Sequence, residues 1–413
     1  MMSGINIKTS ILVLLLAPFA AFWYSRYQVL SLAYFNAQSR MPRHANFTSY
    51  EIKFADQIRS CEDALLVESR GLAIVPCDPG RETWNTVMGN FVDNAPPDPN
   101  AELYAYNYSS SSPSASSLTR IRILNFPSST ELRTLGLEYH EPSSTLLVTN
   151  HRRAGARIEQ FQLDLDTLTA THVRSLPHPL IYAPNSIAAL SESEFFVTNQ
   201  HYFPARSHRL LWALETYLAP PIASVAHVRI LPNGTVDAAV VARLAYANGL
   251  ALLRHDTTLA VASTNTRLVK LFSISSSSST TSNHPTLTQS TSFPVPFLPD
   301  NLSVSKGQHG DEALLIAGHP HLPSLGAFAR SRRTCNRPEL LSDKPPEQRE
   351  EAEERCKTLS AASWASEWTP EGGVQHIYSG WEYPTSASVV RDKGRGVGIV
   401  AGLYAKGLLV WRD

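Results

Sequence analysis

The sequence has no excess charge of either sign, because 36 lysine and arginine residues balance 36 aspartate and glutamate residues over 413 positions. Basic residues form no stripe along the chain, so nucleic acid is not expected as a partner. No Gly-x-Ser-x-Gly motif occurs, which removes the main sequence support for a serine hydrolase. Only four cysteines are present, and their spacing does not resemble a zinc site.

One long hydrophobic run stands near the start of the chain. Lys8 precedes the apolar residues 11–24 and Arg26 follows them, which is the pattern of a signal peptide or a signal-anchor. The uncharged segment from Thr9 to Ser25 has 17 residues, near the lower limit for a membrane span. Since no small-x-small cleavage site follows, we favour a retained anchor. Residues 1–40 are therefore predicted to be a leader and linker that associates with the membrane, in a protein anchored in the secretory pathway or secreted.

Other features fit an oxidising secretory compartment. An even number of cysteines is expected to form disulfides there, and four cysteines allow three pairings. We favour Cys61 with Cys77 and Cys335 with Cys356, because each pair closes a short local loop. Four glycosylation sequons occur, and we predict modification at three of them, Asn46, Asn107 and Asn233. The fourth, at Asn301, is set aside because that side chain is also a candidate metal ligand.

The body of the chain alternates short apolar runs with turn residues, which predicts β-strands. Six strand-like segments begin with a small or polar residue: Glu62, Gly136, Asn185, Asn248, Asn301 and Ser386. The spacings run from 49 to 85 residues, and the two longest contain insertions near 109–117 and 330–366. Units of about 50 to 60 residues, each with room for four strands, predict an all-β fold, a six-bladed β-propeller over residues 41–413. A pair of β-sandwiches is the alternative, but it does not explain one recurring unit.

Two helices and a further insertion are expected within the propeller. Residues 206–218 place apolar side chains at helical spacing: Leu210, Leu211, Leu214, Tyr217 and Leu218. This helix either packs over a propeller face or forms an amphipathic lid that touches lipid and frames a pocket. The charged segment Pro346–Leu359 predicts a short solvated helix. A serine- and threonine-rich insertion lies near 273–292.

Five polar side chains at the starts of strand-like runs are candidate metal ligands: Glu62, Asn185, Asn248, Asp300 and Asn301. Polar side chains at equivalent points of a repeating unit tend to converge on one axis. Two carboxylates and three amides are hard oxygen ligands that suit calcium, and the carboxylates balance its charge. The alternative is that they are polar loop residues that cap strands.

These residues stand in motifs that resemble the paraoxonase/arylesterase family of calcium-dependent six-bladed propeller hydrolases. The resemblance extends from Cys61 to the C-terminus and marks a divergent member. The motifs are Cys61-Glu62-Asp63, Thr149-Asn150-His151, Thr198 to Phe203, Ala247-Asn248-Gly249, Asp300 to Ser303 and Gly318-His319-Pro320. Each motif is weak alone, but their order and spacing are specific.

The resemblance implies that the five candidate ligands hold one catalytic calcium ion. It also implies a second, structural ion at the positions of Asp63 and Leu137. Ser186 stands where the family has an aspartate, so we expect this second site to be weakened or lost.

The family activates water with a pair of histidines near the calcium. His151 matches one of them, but Leu135 stands at the other position and cannot carry a proton. We predict His151 and Asp300 as catalytic residues, with Asp300 acting as a base while it also binds the metal. His201 and His319 are predicted to lie around the pocket.

The predicted function is calcium-dependent hydrolysis of small hydrophobic esters or lactones, with the central calcium polarising the carbonyl group. Because of Leu135, two alternatives stay open. The chain could be a non-catalytic, calcium-bound propeller that acts as a binding module, or a related propeller enzyme with non-hydrolytic chemistry.

Overall fold

The computed structural model describes residues 7–92, 99–109, 117–275, 283–307, 310–342 and 344–413. The first six residues of the predicted leader lie outside these ranges. So do most of the insertion predicted near 109–117 and the centre of the one near 273–292.

Short strands are the main secondary structure of the described chain, and most of them pair antiparallel with their neighbours in sequence. Two strands come first, β1 (His44–Ala45) and β2 (Ser49–Lys53). They are followed by β3 (Leu65–Val67), β4 (Leu72–Cys77), β5 (Trp84–Asn85), β6 (Asn90–Phe91), β7 (Glu102–Asn107), β8 (Leu118–Leu124), β9 (Thr134–His140), β10 (Thr145–Arg152), β11 (Gly155–Asp164) and β12 (Thr169–Leu176).

The same alternation of strand and turn continues to the C-terminus. The strands are β13 (Pro184–Ser191), β14 (Glu194–Asn199), β15 (Ala223–Ile230), β16 (Val236–Leu244), β17 (Ala247–Leu253), β18 (Thr258–Ser263), β19 (Leu268–Ser275) and β20 (Thr286–Pro294). The last group is β21 (Leu298–Lys306), β22 (Glu312–His319), β23 (Ser363–Thr369), β24 (Gly373–Gly380), β25 (Ser386–Asp392), β26 (Val397–Gly402) and β27 (Leu408–Arg412).

The strands group into antiparallel units that resemble propeller blades. Strands β13–β16 and β17–β20 each form a four-stranded sheet, and β21–β24 form another to which β1 adds an edge. Strand β2 pairs with β27, so a segment from the N-terminal part of the chain completes the C-terminal unit and closes the ring. The predicted all-β class and the propeller-like arrangement are confirmed. The count of six blades stays a prediction, since β3–β4–β7–β8 and β9–β12 are joined in one eight-stranded sheet by the parallel pair β8–β12.

The core lies between neighbouring units, because both faces of each sheet are covered. Phe195 and Phe196 are adjacent on β14 and both fully buried. Phe195 packs with Leu147 and Ile158 of the preceding unit, whereas Phe196 packs with residues of the next unit such as Val261. Successive strand residues point to opposite faces, so continuous apolar runs are what a sheet covered on both faces requires.

Among the described residues, six helices lie outside the sheets. They are α1 (Ile7–Leu30), α2 (Leu32–Phe35), α3 (Arg209–Leu218), α4 (Leu322–Cys335), α5 (Pro338–Ser342) and α6 (Pro346–Thr358). Helices α3 and α6 match the two helices predicted within the propeller. Short 3-10 turns occur at Glu68–Arg70, Pro79–Glu82, Glu141–Ser143 and Thr264–Thr266. Within the described ranges, no helix has the combined length and apolar character needed to cross a bilayer.

The local disulfide pairing is confirmed. Cys61 is bonded to Cys77, which ties the loop that carries Glu62 to β4. Cys335 at the end of α4 is bonded to Cys356 in α6. All three sequon asparagines are exposed on the surface, and their glycosylation stays a prediction.

Candidate metal centre and cavity

Irregular pairing in the innermost strands positions the candidate ligands. The register shifts between Pro184 and Ile187, between Ala247 and Leu250, and between Pro299 and Leu302. The skipped positions include the ligand candidates Asn185, Asn248, Asp300 and Asn301. A bulge locally redirects side chains away from the regular alternation of a strand, so these irregularities account for the position of the polar groups.

Two glycines allow these innermost strands to approach each other. A Cβ atom on Gly136 would lie 2.3 Å from the carbonyl oxygen of Asn185, and one on Gly249 would lie 2.5 Å from that of Asp300. Both distances are shorter than van der Waals contact, so a larger residue would push neighbouring units apart. The glycines therefore let separate units converge at the centre.

Side-chain hydrogen bonds connect four of the five candidate ligands in pairs. Asn248 Nδ2 donates to Asp300 Oδ1 at 2.7 Å. Asn301 Nδ2 donates to Glu62 Oε1 at 3.0 Å. Asn185 is buried and lines the same cavity as Glu62, Asn248 and Asp300. The structure thus brings together the set that the sequence predicted.

Four of these side chains each present a buried oxygen atom that has no hydrogen-bond partner. The atoms are Glu62 Oε2, Asn185 Oδ1, Asn248 Oδ1 and Asn301 Oδ1. Burying an acceptor without a partner is costly, and such atoms in a folded protein call for an explanation. A hard cation satisfies carboxylate and amide oxygens at once, so the residues present fit calcium. Among the described residues no three His, Cys, Asp or Glu side chains cluster as a metal site, so the candidate set depends on its amides.

Two further side chains orient the amides and were not predicted from the sequence. Thr264 Oγ1 accepts from Asn248 Nδ2 at 3.0 Å and donates to the Pro299 carbonyl oxygen at 2.7 Å. Ser388 Oγ accepts from Asn301 Nδ2 at 2.8 Å. The sequence offered one signal for Ser388, because the sixth repeat was placed to start at Ser386.

The electrostatic field of the centre favours a cation. Burial raises the pKa of Glu62 well above its ordinary value, and the nearby charges of Asp300 and Asp63 raise it further. Arg81 and the hydrogen bond from Asn301 act in the opposite direction. Since an added positive charge lowers the cost of ionising buried carboxylates, cation binding and ionisation of Glu62 reinforce each other.

The residues at the second predicted ion site do not fit an ion. Asp63 Oδ2 accepts from the Leu137 backbone N–H at 3.0 Å. Asp63 Oδ1 accepts from Ala64 N and Ser388 Oγ, each at 2.8 Å. Ser186 Oγ accepts from Leu250 N at 3.1 Å. Unlike the first site, this one leaves no side-chain oxygen of Asp63 or Ser186 without a partner, so it lacks the orphaned acceptors that call for a cation. Burial still raises the pKa of Asp63 to about 6, although these hydrogen bonds lower it.

His151 lies apart from the cavity. It lines a separate small void behind Leu135, and Leu135 also lines the cavity. The imidazole Nε2 faces the Pro184 carbonyl and must donate to it, so Nδ1 accepts from Thr86 Oγ1 at 2.7 Å. Burial lowers the pKa of His151 to about 4. The ring is thus neutral at pH 7, and both nitrogen atoms are engaged.

His319 and His201 occupy different environments. His319 lines the cavity, and its Nε2 donates to Asp300 Oδ2 at 2.9 Å, while its buried Nδ1 has no partner. His201 is outside the cavity lining; it packs against Trp212 and Tyr246, and its Nε2 contacts Thr216 Oγ1 at 2.8 Å. Burial lowers the pKa of His201 to about 3. Of the two, only His319 reaches the site directly.

A cavity of about 470 Å³ opens above the polar centre. Helices α1 to α4 frame it, with apolar side chains that include Val29, Leu30, Trp212, Tyr217 and Leu325. Helix α3 therefore frames the pocket as predicted for a lid, while Leu210 and Tyr217 remain largely exposed. An apolar wall over a polar floor suits a hydrophobic molecule with one reactive polar group.

Comparison with known proteins identifies one family. The sequence model of the family described as Arylesterase matches residues 92–338. Mouse serum paraoxonase/arylesterase 1 is 34% identical over 82 residues, which cover 18% of this chain and 23% of the mouse protein. Human serum paraoxonase/arylesterase 2 is 33% identical over 82 residues, which cover 20% and 22% of the two chains. The match thus spans under a quarter of the length of these relatives.

Two solved structures are similar in fold. A gluconolactonase of Xanthomonas campestris has 12% identity and a TM-score of 0.47, covering 90% of this chain and 97% of its own. The periplasmic gluconolactonase of Pseudomonas aeruginosa has 12% identity and a TM-score of 0.44, covering 85% and 80%.

Proposed function

The chain belongs to the arylesterase family, and we propose that it is a calcium-dependent hydrolase of hydrophobic esters or lactones. The calcium ligands are five side chains: Glu62, Asn185, Asn248, Asp300 and Asn301. The observation that carries this proposal is the convergence of four buried, unpartnered oxygen atoms from separate units of the propeller. A hard cation accounts for carboxylate and amide acceptors of this kind.

When bound, calcium supplies a Lewis acid that polarises the substrate carbonyl and stabilises negative charge on its oxygen. The chain itself orients the site. Thr264 and Ser388 fix the donor ends of Asn248 and Asn301, so their carbonyl oxygens are left available to hold an ion. The apolar walls hold the hydrophobic part of the substrate and exclude water around the reacting bond.

His319 is better placed than His151 to accept a proton from water. Asp300 accepts from His319 Nε2, which holds the tautomer whose Nδ1 lone pair has no protein partner. A base oriented by a carboxylate is a recurring arrangement in hydrolysis. His151 lacks a free nitrogen atom and reaches the cavity only past Leu135. We therefore propose His319 as the base and Asp300 as its positioning partner and a metal ligand.

The test is turnover of aryl esters and lactones by the purified full-length chain, with the calcium content measured alongside. We expect one tightly held calcium ion, loss of activity with a chelator, and recovery with calcium but not magnesium. His319→Gln should lower kcat with calcium retained, whereas His255→Gln, an exposed control, should change neither. Hydrolytic activity that does not change when a chelator removes calcium contradicts the mechanism.

One observation favours a second function. Leu135 and the sealed, neutral His151 remove one proton-transfer route that the family resemblance implies. A calcium-bound propeller that binds a ligand without hydrolysing it, or one with non-hydrolytic chemistry, would tolerate this loss. Metal-dependent ligand binding without any turnover of esters and lactones would favour these alternatives over hydrolysis.

We also propose that the chain enters the secretory pathway and keeps its N-terminal segment at a membrane. Support comes from two disulfides, three exposed sequons and the position of α1, whose C-terminal end forms part of the cavity wall. Phe19 and Trp23 of α1 and Leu210 of α3 are exposed apolar side chains. A mass shift on deglycosylation and co-sedimentation with membranes at physiological salt are the expected results. Release into the soluble fraction without the leader would contradict retention.

A further inference from the structure

The cavity wall carries a buried positive charge that the proposed metal chemistry does not use. Arg26, near the end of α1, lines the cavity and is only 6% exposed. Its Nη2 donates to Ser25 Oγ at 3.0 Å, and its buried Nε has no hydrogen-bond partner. Within the described ranges, no carboxylate lies at ion-pair distance from this guanidinium. A buried and unpaired arginine is costly unless an anion completes it.

A second arginine stands on the same cavity. Arg330 of α4 lines it, and among the described residues it also has no acidic partner at ion-pair distance. The charged groups facing the cavity are therefore Arg26 and Arg330 on the wall and Glu62 and Asp300 on the floor. Calcium on the floor would balance its two carboxylates. The wall would then remain positive, with nothing in the described chain to neutralise it.

We propose that the cavity selects substrates that carry a carboxylate at the end remote from the scissile carbonyl, and that Arg26 binds this carboxylate. This inference rests on the proposed hydrolase function and narrows its substrate class. The guanidinium has several donors in a planar fork that matches a carboxylate. Val29 and Leu30 line the same cavity and can pack against a hydrocarbon linker. Arg26 is a specificity-determining residue here, and Arg330 adds positive field at the opposite helix.

The experiment compares two esters that differ only at the far end of the acyl chain. The mono-4-nitrophenyl ester of glutaric acid ends in a carboxylate, and 4-nitrophenyl pentanoate ends in a methyl group. We expect kcat/KM of the full-length, calcium-loaded protein to favour the anionic ester at least tenfold. A hydrogen bond to a charged group typically corresponds to such a factor or more.

Three variants at the cavity and one control variant assign the selectivity to individual arginines. Arg26→Gln should abolish the preference mainly through KM, and Arg26→Lys should retain part of it together with the positive charge that flanks the leader. Arg330→Gln, at an exposed position with little risk to folding, should reduce the preference by a smaller factor. Arg254→Gln, an exposed arginine on a distant turn, should leave the ratio unchanged. An equal rate for both esters in the parent protein, or an unchanged ratio in Arg26→Gln, overturns the proposal.

Binding of unreactive analogues separates this inference from the hydrolase proposal. Glutaric acid monoanilide and pentananilide are compared by calorimetry on the calcium-loaded protein. If neither ester is hydrolysed but the monoanilide binds in an Arg26-dependent manner, the anion site stands and the hydrolase proposal falls. In a different outcome, the pentanoate ester is hydrolysed, the monoanilide binds no more tightly than pentananilide, and Arg26→Gln leaves the ratio of the two ester rates unchanged. The anion site is then contradicted, and the hydrolase proposal stands.

Discussion

Asn248 donates a hydrogen bond of 2.7 Å to Asp300, a residue 52 positions later in the neighbouring unit of the propeller. The same Nδ2 group also donates to Thr264 Oγ1, so the amide has a single orientation. Its carbonyl oxygen is left without a partner, as are one oxygen atom each of Glu62, Asn185 and Asn301. The hydrogen bonds therefore hold the amide of this candidate ligand in place in the metal-free chain.

This relationship predicts that Thr264 controls calcium affinity although it is not a ligand. Thr264→Val keeps the shape of the side chain but removes the acceptor that orients Asn248. Loss of an outer hydrogen-bond partner typically weakens metal binding about 10- to 100-fold, and we expect a change in that range. Calcium titration by calorimetry measures it. Thr257→Val, on an exposed turn, is the control; equal affinities of the two variants would show that the Thr264 hydroxyl does not orient a ligand.

Calcium should also stabilise the fold. Mass action predicts a gain of about 2.7 kcal/mol in the free energy of unfolding at a free calcium concentration 100 times the Kd. Urea unfolding at a series of calcium concentrations measures this gain. Glu62→Gln and Asp300→Asn remove ligand charge and should abolish the calcium dependence. A variant at Glu141, an exposed carboxylate away from the centre, should keep it. Identical unfolding curves with and without calcium would contradict a metal centre at these residues.

The sequence predicted the convergence of the ligands because each lies at the same point of a repeating unit. The same pattern could not reveal why the side chains meet, since bulges at Asn185 and Asn248 are set by pairing between strands. Short-range spacing did identify both disulfides and the helix after Arg206. The sequence could not predict the hydrogen bonds of His151, because Thr86 and Pro184 approach it only in the folded chain.

Arg26 shows a second limit of the sequence pattern. It was interpreted only as the charge that flanks a leader, since its neighbours in sequence are those of a signal-anchor. Its position in the cavity wall depends on contacts between the N-terminal helices and the propeller. Asn36 Nδ2 donates to the carbonyl oxygens of Pro296 and Pro320 at 2.9 and 3.0 Å, contacts that span more than 250 residues. Local patterns carry no information about such contacts.

Burial of His151 predicts an acid-dependent loss of stability. Its pKa is about 4 in the folded chain, against an ordinary value near 6.5. Between these values the unfolded chain takes up a proton that the folded chain excludes, so stability falls as pH decreases from 6.5 to 4. At pH 5 the exclusion of this proton is expected to lower the free energy of unfolding by about 2 kcal/mol relative to neutral pH.

Urea unfolding at pH 7.5 and pH 5 measures this effect. Between pH 7.5 and pH 5, the free energy of unfolding of His151→Gln should fall by about 2 kcal/mol less than that of the parent protein, whatever the stability of the variant at pH 7.5. His255→Gln, at an exposed position, should behave as the parent does. If His151→Gln and the parent show the same pH dependence, the imidazole is not excluded from protonation in the folded chain.

The Cys335–Cys356 disulfide is expected to hold the helical wall of the cavity. It closes a segment of 21 residues between α4 and α6, and α4 carries Leu325 and Arg330 at the cavity. Replacing both cysteines by alanine should lower the free energy of unfolding by about 3 kcal/mol through loop-closure entropy. Because the wall is loosened and the polar centre is not, KM should rise while the affinity for calcium is unchanged. Reduction of both affinity and turnover to the same degree would instead indicate damage to the propeller itself.

Leu135 is the residue at which a single substitution should raise hydrolysis. Its side chain is buried between the cavity and the void that contains His151, and it stands where the family resemblance implies a histidine. Leu135→His places an imidazole between the cavity and the small void that His151 lines. General-base catalysis typically contributes about 10²- to 10⁴-fold, so we expect aryl-ester kcat to rise at least tenfold.

The faster turnover of Leu135→His should be accompanied by lower stability and by a changed pH dependence of kcat. Burying a polar ring in an apolar position is expected to lower the free energy of unfolding by about 1 to 3 kcal/mol. The kcat profile should acquire a new limb that rises with pH as the added imidazole loses its proton. Leu135→Gln introduces polarity without a titrating group and should show the stability cost but neither the faster turnover nor the new limb. Equal activity of the two variants would mean that a missing proton acceptor at position 135 does not limit hydrolysis, and the rate would then depend on His319 and the metal ligands alone.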